Sequence, residues 1–201
     1  MEHTTLWISC GVVRKEMECL LSEGVIEGEL MFWDSMLHMV PLELESRLNV
    51  LLDSKKAVIR PMVLVTGDCS PHMLNIAEDH KIARVNATNC GQMLLGKQRY
   101  RELMHEGAFI VLPEWAQRWK EIITEELGLN GEIAKEFMRE NRKKLVYCDT
   151  GVSDVPHETL HMFSEYTSLS LCIEKVSLDI FVDFLRTAQR EAYRLVGEEQ
   201  S

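Results

Sequence analysis

The feature that most constrains this chain is an alternation, repeated along its length, of a short apolar run, a small or polar turn and a helical pattern. Leu6-Trp7-Ile8 passes through Ser9, Cys10 and Gly11 into a segment with Val13, Met17, Leu20 and Leu21 at helical spacing, stopped by Gly24. Leu30-Met31-Phe32 leads through a long turn with Asp34 and His38 to Pro41, which opens a helix over Leu44, Leu48 and Leu51. Met62 to Val65 reads as a strand buried on both faces and ends in Thr66-Gly67-Asp68-Cys69-Ser70-Pro71-His72. Ser70 is the expected N-cap of the next helix and Pro71 its first residue, with Leu74, Ile76 and Ala77 along its course.

The second half repeats the scheme. Ile82 to Val85 is a weaker strand, and Asn89 is a good N-cap for a helix from Cys90 to about Gly107. Ala108 to Leu112 is a buried strand broken by Pro113; Trp115, Trp119, Ile122 and Ile123 then mark a helical face, and another helix follows Gly131. Leu145 to Cys148 ends in Asp149-Thr150-Gly151, and Leu169, Leu171 and Ile173 precede an amphipathic helix with Ile180, Phe181, Phe184 and Leu185. Strands alternating with helices predict an α/β fold. The expected form is one doubly wound, mainly parallel sheet of about six or seven strands, with helices on both faces. Apolar residues make up 46% of the chain, enough for a sizeable core. No linker or repeat marks a boundary, so a single domain over residues 1–201, with its core at about 5–190, is expected.

Composition removes several function classes. The net charge of −10 argues against nucleic-acid binding, which needs clustered cations. The run Arg139, Arg142, Lys143, Lys144 reads as a solvated helix end. No apolar stretch approaches the roughly 20 residues that cross a bilayer, and the N-terminal segment lacks the features of a secretory signal. A cytoplasmic protein with six reduced cysteines is expected, each of them core, metal ligand or nucleophile. No C-x-x-C pair, G-x-G-x-x-G, P-loop or G-x-S-x-G occurs, so any cysteine site is assembled from distant segments.

In doubly wound sheets, ligands bind outside the carboxyl ends of the strands. That rule selects Cys10, His38, Asp68, Cys69, His72, Asn89, Cys90, Glu114, Asp149 and Thr150. Cys10, Cys69 and Cys90, each at a strand-to-helix turn, are candidate metal ligands, with His38 as the fourth or as a group behind them that supports a ligand. Thiolates at helix N-termini are favoured by the dipole, and three of them with an imidazole can complete a zinc site. Three thiolates holding an iron–sulfur cluster with one open iron is the alternative. Asp68, Glu114 and Asp149 are candidate catalytic carboxylates, and His72, Asn89 and Thr150 candidate cofactor contacts. Cys19 and Cys172 read as packing, Cys148 as intermediate, and His105, His157 and His161 as surface residues. The methionines and the Trp115/Trp119 pair read as core.

Several short motifs also carry a family resemblance. They are Cys10-Gly11, Leu37-His38 before Pro41, Gly67-Asp68-Cys69, and Asn89-Cys90 with Leu94-Leu95-Gly96-Lys97 and Arg99-Tyr100. Leu112-Pro113 with Trp115 and Asp149-Thr150-Gly151 complete the set. From about Leu6 to about Leu185 the chain resembles an uncharacterised family of methanogenic archaea and anaerobic bacteria, described only as a domain of unknown function. Some members are encoded near corrinoid-dependent methylamine methyltransferases. The resemblance places Cys10, His38, Cys69 and Cys90 at family positions and implies a corrinoid protein or methyltransferase as partner. Glu114 stands where many relatives have glycine, and Asn89 where aspartate is commoner.

Three functions compete. The first is a metal- or cluster-binding protein of anaerobic one-carbon and corrinoid metabolism. The second is a metal-free enzyme acting on a small acid, with Cys69 and Cys90 as a racemase-like acid–base pair. The third is an accessory or chaperone module for a corrinoid methyltransferase.

Overall fold

The computed structural model describes residues 4–55 and 60–199. It is an α/β protein whose described residues form seven strands, all parallel, shared between two sheets. The described residues pack as two compact units, one formed by those up to Met93 with those from Asp179 onward, the other by Leu94–Leu178.

The first unit holds β1 (Leu6–Cys10), β2 (Glu29–Trp33), β3 (Met62–Val65) and β4 (Ala83–Arg84) in the order β2-β1-β3-β4. The chain moves from β1 to one side for β2, then crosses back to the other side for β3. The strand order therefore reverses between β1 and β3, the kind of switch point that leaves a crevice at the strand ends. Helix α1 (Arg14–Ser22) follows β1 after a single 3-10 turn, α2 (Pro41–Lys55) follows β2 and α3 (Met73–Asp79) follows β3. Leu6, Ile8 and Leu64 pack with Leu44, Leu48 and Leu52 of α2 and with Met73 and Ile76 of α3. The long helix α8 (Asp179–Glu199) packs on β3 and β4 and buries Phe181, Leu185, Ala188 and Ala192.

Helix α4 (Cys90–His105) starts in the first unit and ends in the second. Its interior is broken at Gly96, where φ is 77° and ψ 161°. Glycine adopts that conformation without a Cβ penalty, and the continuous helix expected to about Gly107 is interrupted there.

The second unit holds β5 (Ala108–Val111), β6 (Lys144–Asp149) and β7 (Ser170–Lys175) in simple sequence order. Between β5 and β6 lie α5 (Pro113–Gln117), a π-helical turn (Glu121–Glu126) and α6 (Gly131–Asn141); α7 (His157–Thr167) joins β6 to β7. Trp119 stacks on Phe163 with ring centroids 4.9 Å apart, in a core with Val111, Leu145 and Tyr147. The expectation that this tryptophan is core is met. Arg99 of α4 forms a two-pronged ion pair with Glu174 of β7, at 2.7 and 2.8 Å.

The one sheet expected from the sequence is divided into two, of four and three strands, and local details differ as well. Helix α3 starts at Met73, after a turn through Pro71 and His72, so Ser70 and Pro71 are not its cap and first residue. Its buried face is Met73, Ile76 and Ala77, while Leu74 is 58% exposed. In α2 the third buried leucine is Leu52, with Leu51 half-buried beside it.

Candidate functional site

The first sheet gathers three thiols at its carboxyl edge. Cys10 is the last residue of β1 and is buried; Cys69 lies in the loop after β3; Cys90 opens α4 after β4 and is buried. Cys10 and Cys69 thus flank the reversal between β1 and β3. Cys10 and Cys90 are hydrogen-bonded through their side chains, and Cys69 lies close enough to both to act on their charge.

Glycine makes this convergence possible. A Cβ on Gly67 would sit 2.4 Å from the Asn89 Cα and 2.5 Å from the Thr88 oxygen. Only a hydrogen fits there, so the loop after β3 can lie directly against the loop before α4. The Asp68 N–H donates to the Thr88 carbonyl at 2.8 Å and fastens the two loops. The Gly67 backbone hydrogen-bonds both Cys69 and Cys90, and in each case favours the thiolate. The Thr66 hydroxyl stands 3.6 Å from the Cys69 sulfur.

Burial and crowding nevertheless favour the protonated form of Cys69 and Cys90. Cys69 is raised above the ordinary cysteine value, chiefly by burial, with smaller upward pushes from Cys10 and Asp68. Cys90 is raised well above it, first by its hydrogen bond with Cys10, then by burial and by the nearby Cys10 and Cys69. A thiol at a helix N-terminus was expected to favour thiolate; at Cys90 the dipole is outweighed. Cys69 stands four residues before α3 begins, clear of its first turn. Among the described residues no group of three or more His, Cys, Asp or Glu side chains is arranged to hold a metal ion. The three thiols are neighbours, but they do not converge on one point at ligand spacing.

His38 lies in a 3-10 segment (Ser35–Met39) after β2, and β2 pairs with β1 so that Trp33 is opposite Cys10. Its Nδ1 is 2.5 Å from the Ser35 carbonyl, so Nδ1 carries the proton in the neutral ring and Nε2 is the nitrogen with a lone pair. That is the tautomer in which a backbone carbonyl orients a ligating histidine.

The other candidates occupy ordinary structural roles. Asp68 accepts from Arg84 at 2.7 Å, and the exposed His72 pairs with Glu45 at 3.1 Å. The Asn89 side chain caps α4 by accepting from the Gln92 N–H at 2.9 Å, while the Gln92 side chain accepts from the Thr88 N–H. Glu114, Asp149 and Thr150 belong to the second unit, at the carboxyl edge of the other sheet. Glu114 pairs with Arg118 at 3.3 Å, and Asp149 accepts from the Gly151 N–H at 3.0 Å in a turn. Cys148 is buried within β6, Cys172 is exposed on β7, and Cys19 lies on α1. Two contributors escaped the sequence reading as functional residues. Gly67 had a signal, a glycine between a buried strand and a cysteine turn; Arg84 had none.

A family profile described as a protein of unknown function, DUF1638, matches residues 32–185, well over half of the chain. The chain belongs to DUF1638. The match covers His38, Cys69 and Cys90 and leaves Cys10 outside it. No curated protein and no solved structure matches this DUF1638 chain. Among its described residues, no helix is long and apolar enough to cross a membrane.

Proposed function

We propose that the protein binds a metal ion or metal cluster through Cys10, Cys69 and Cys90, with His38 as fourth ligand. The observation that supports this most is the clustering of three thiols at the strand-order reversal, with one backbone N–H serving two of them. Crowded thiols would repel one another as thiolates, and a soft cation is the partner that relieves that repulsion. Zinc is the first choice and an iron–sulfur cluster the second. Ligation requires the sulfurs to close to about 3.8 Å from one another around Zn–S bonds near 2.3 Å, a side-chain rotation beyond the arrangement described above. His38 Nε2 has the right tautomer to follow. Bound there, a zinc ion would supply Lewis acidity; the chain's own residues hold the ion and, through Gly67 and Thr66, donate hydrogen bonds to its thiolates.

The setting we propose is a reducing cytoplasm and corrinoid-dependent methyl transfer, with a corrinoid protein or methyltransferase as partner. Its support is the resemblance of motif order described above. The metal-free acid–base reading ranks second, because both members of the Cys69/Cys90 pair are raised and neither is a ready thiolate base. Metal and sulfide analysis with an absorption spectrum, on anaerobically purified wild type and Cys69→Ser, tests the proposal. Stoichiometric zinc, or iron with sulfide, that is lost in the variant is expected. Wild type prepared without chelator that holds neither, and takes up neither on reconstitution, overturns it.

A further inference from the structure

A second site lies in the first unit, between the end of β4 and one face of α8. It is a cavity of about 750 Å³, within the size range of small-molecule sites. Ile180, Phe184 and Ala188, one helical turn apart along α8, give it an apolar floor. Around this floor stand Arg84, Arg190 and Arg194, against two carboxylates, Asp183 and Glu191. Glu191 is already taken by Arg194, at 2.6 and 2.9 Å. Arg190 is different: among the described residues its guanidinium bonds only the Thr187 hydroxyl, at 3.2 Å. It is a cation on the cavity wall with no carboxylate of its own.

We infer that this cavity binds a small organic anion, an apolar or aromatic body carrying a phosphate or carboxylate. The body lies on Phe184 and Ile180, and the anionic group is taken by Arg190 in the two-pronged geometry guanidinium favours. The cavity is too large for an inorganic ion alone, and its floor offers such an ion nothing. Arg84 is 11% exposed and also holds Asp68, the neighbour of Cys69, so an occupant sits one ion pair away from the thiol loop. The inference stands on the cavity and does not depend on a metal at the cysteines.

The test is fluorescence titration of the full chain with the anionic dye 1-anilinonaphthalene-8-sulfonate, followed by competition with phenyl phosphate and with benzoate. The expected result is saturable binding at one site, weakened about tenfold or more by Arg190→Glu and by a smaller factor in Arg190→Lys, which keeps the charge but loses the two-pronged contact. Cys69→Ser leaves it unchanged, which separates this site from the thiols. Stronger competition by phenyl phosphate assigns a phosphate ligand, and stronger competition by benzoate a carboxylate. Binding that never saturates, is indifferent to Arg190→Glu, or is displaced by neither competitor overturns the inference.

Discussion

The two sheets obey the same rules yet end in different chemistry. Both are parallel, and both place cysteines, acids and glycines at or near their carboxyl edges. In the first sheet the strand order reverses between β1 and β3, and the loops beyond that point pack on one another through Gly67. In the second the strands run β5-β6-β7 without reversal. There Glu114 and Asp149 serve an ion pair and a turn, and Cys148 is buried inside β6. Position at a carboxyl edge is therefore insufficient. The three thiols meet where the strand order reverses and the Gly67 contact holds the two loops together.

The largest effect is expected where that contact is broken. Gly67→Ala sets a methyl group against the backbone of Thr88 and Asn89, which cannot turn aside. We expect a cost of about 1–3 kcal/mol and loss of metal binding. Gly151→Ala at the second edge meets nothing within 4 Å; its left-handed φ of +72° sets the cost, about 1 kcal/mol, and metal binding is kept. Urea unfolding of both variants, with metal analysis, checks the contrast. Equal loss of metal in both would remove the special standing of the first edge.

Next come the cysteines. Cys10→Ser, Cys69→Ser and Cys90→Ser are each expected to abolish stoichiometric metal and Cys172→Ser on the second sheet to leave it intact; metal analysis on the four purified variants decides this. A smaller effect lies in the pH dependence of the metal-free protein. Folded Cys69 and Cys90 are raised above the ordinary value of 9.0, so the unfolded chain ionises these thiols first. Their stabilising contribution is fully present below pH 9 and declines as pH rises toward the folded values. Thermal unfolding of wild type between pH 7 and about 10.5 should show a fall that Cys69→Ser makes shallower. The smallest effect is Glu114→Gln, which breaks a surface ion pair with Arg118. It should cost no more than about 1 kcal/mol in urea unfolding, with metal binding unchanged.

Much of this was legible in the sequence. Continuous apolar runs such as Met62–Val65 and Ala108–Val111 mark strands by local composition, and the strand-end rule leads from them to Cys10, Cys69 and Cys90. Strand partners were not legible, because a buried run reads the same in whichever sheet it lies; seven strands do not say that they divide into four and three. The break at Gly96 was hidden for a similar reason, since a lone glycine inside a helical pattern is usually tolerated. The protonation of the thiols was misread at Cys90. A helix N-terminus is a local feature, but the burial and the cysteine neighbours that outweigh it come from β1 and from the loop after β3. Arg84 and Arg190 are far apart in the chain, and only the packing of α8 on β4 brings them to one cavity.

The measurement that bears most directly on the central claim is a titration of the reduced, metal-free protein with cobalt(II), reading thiolate-to-cobalt charge-transfer absorption. One equivalent is expected to bind, with protons released and an intensity that reports three thiolates. The absorption should be lost together with binding when Cys10, Cys69 or Cys90 is changed singly to serine, and stay unchanged in Cys172→Ser. A wild type without charge-transfer absorption, or a band indifferent to all three substitutions, would contradict that claim.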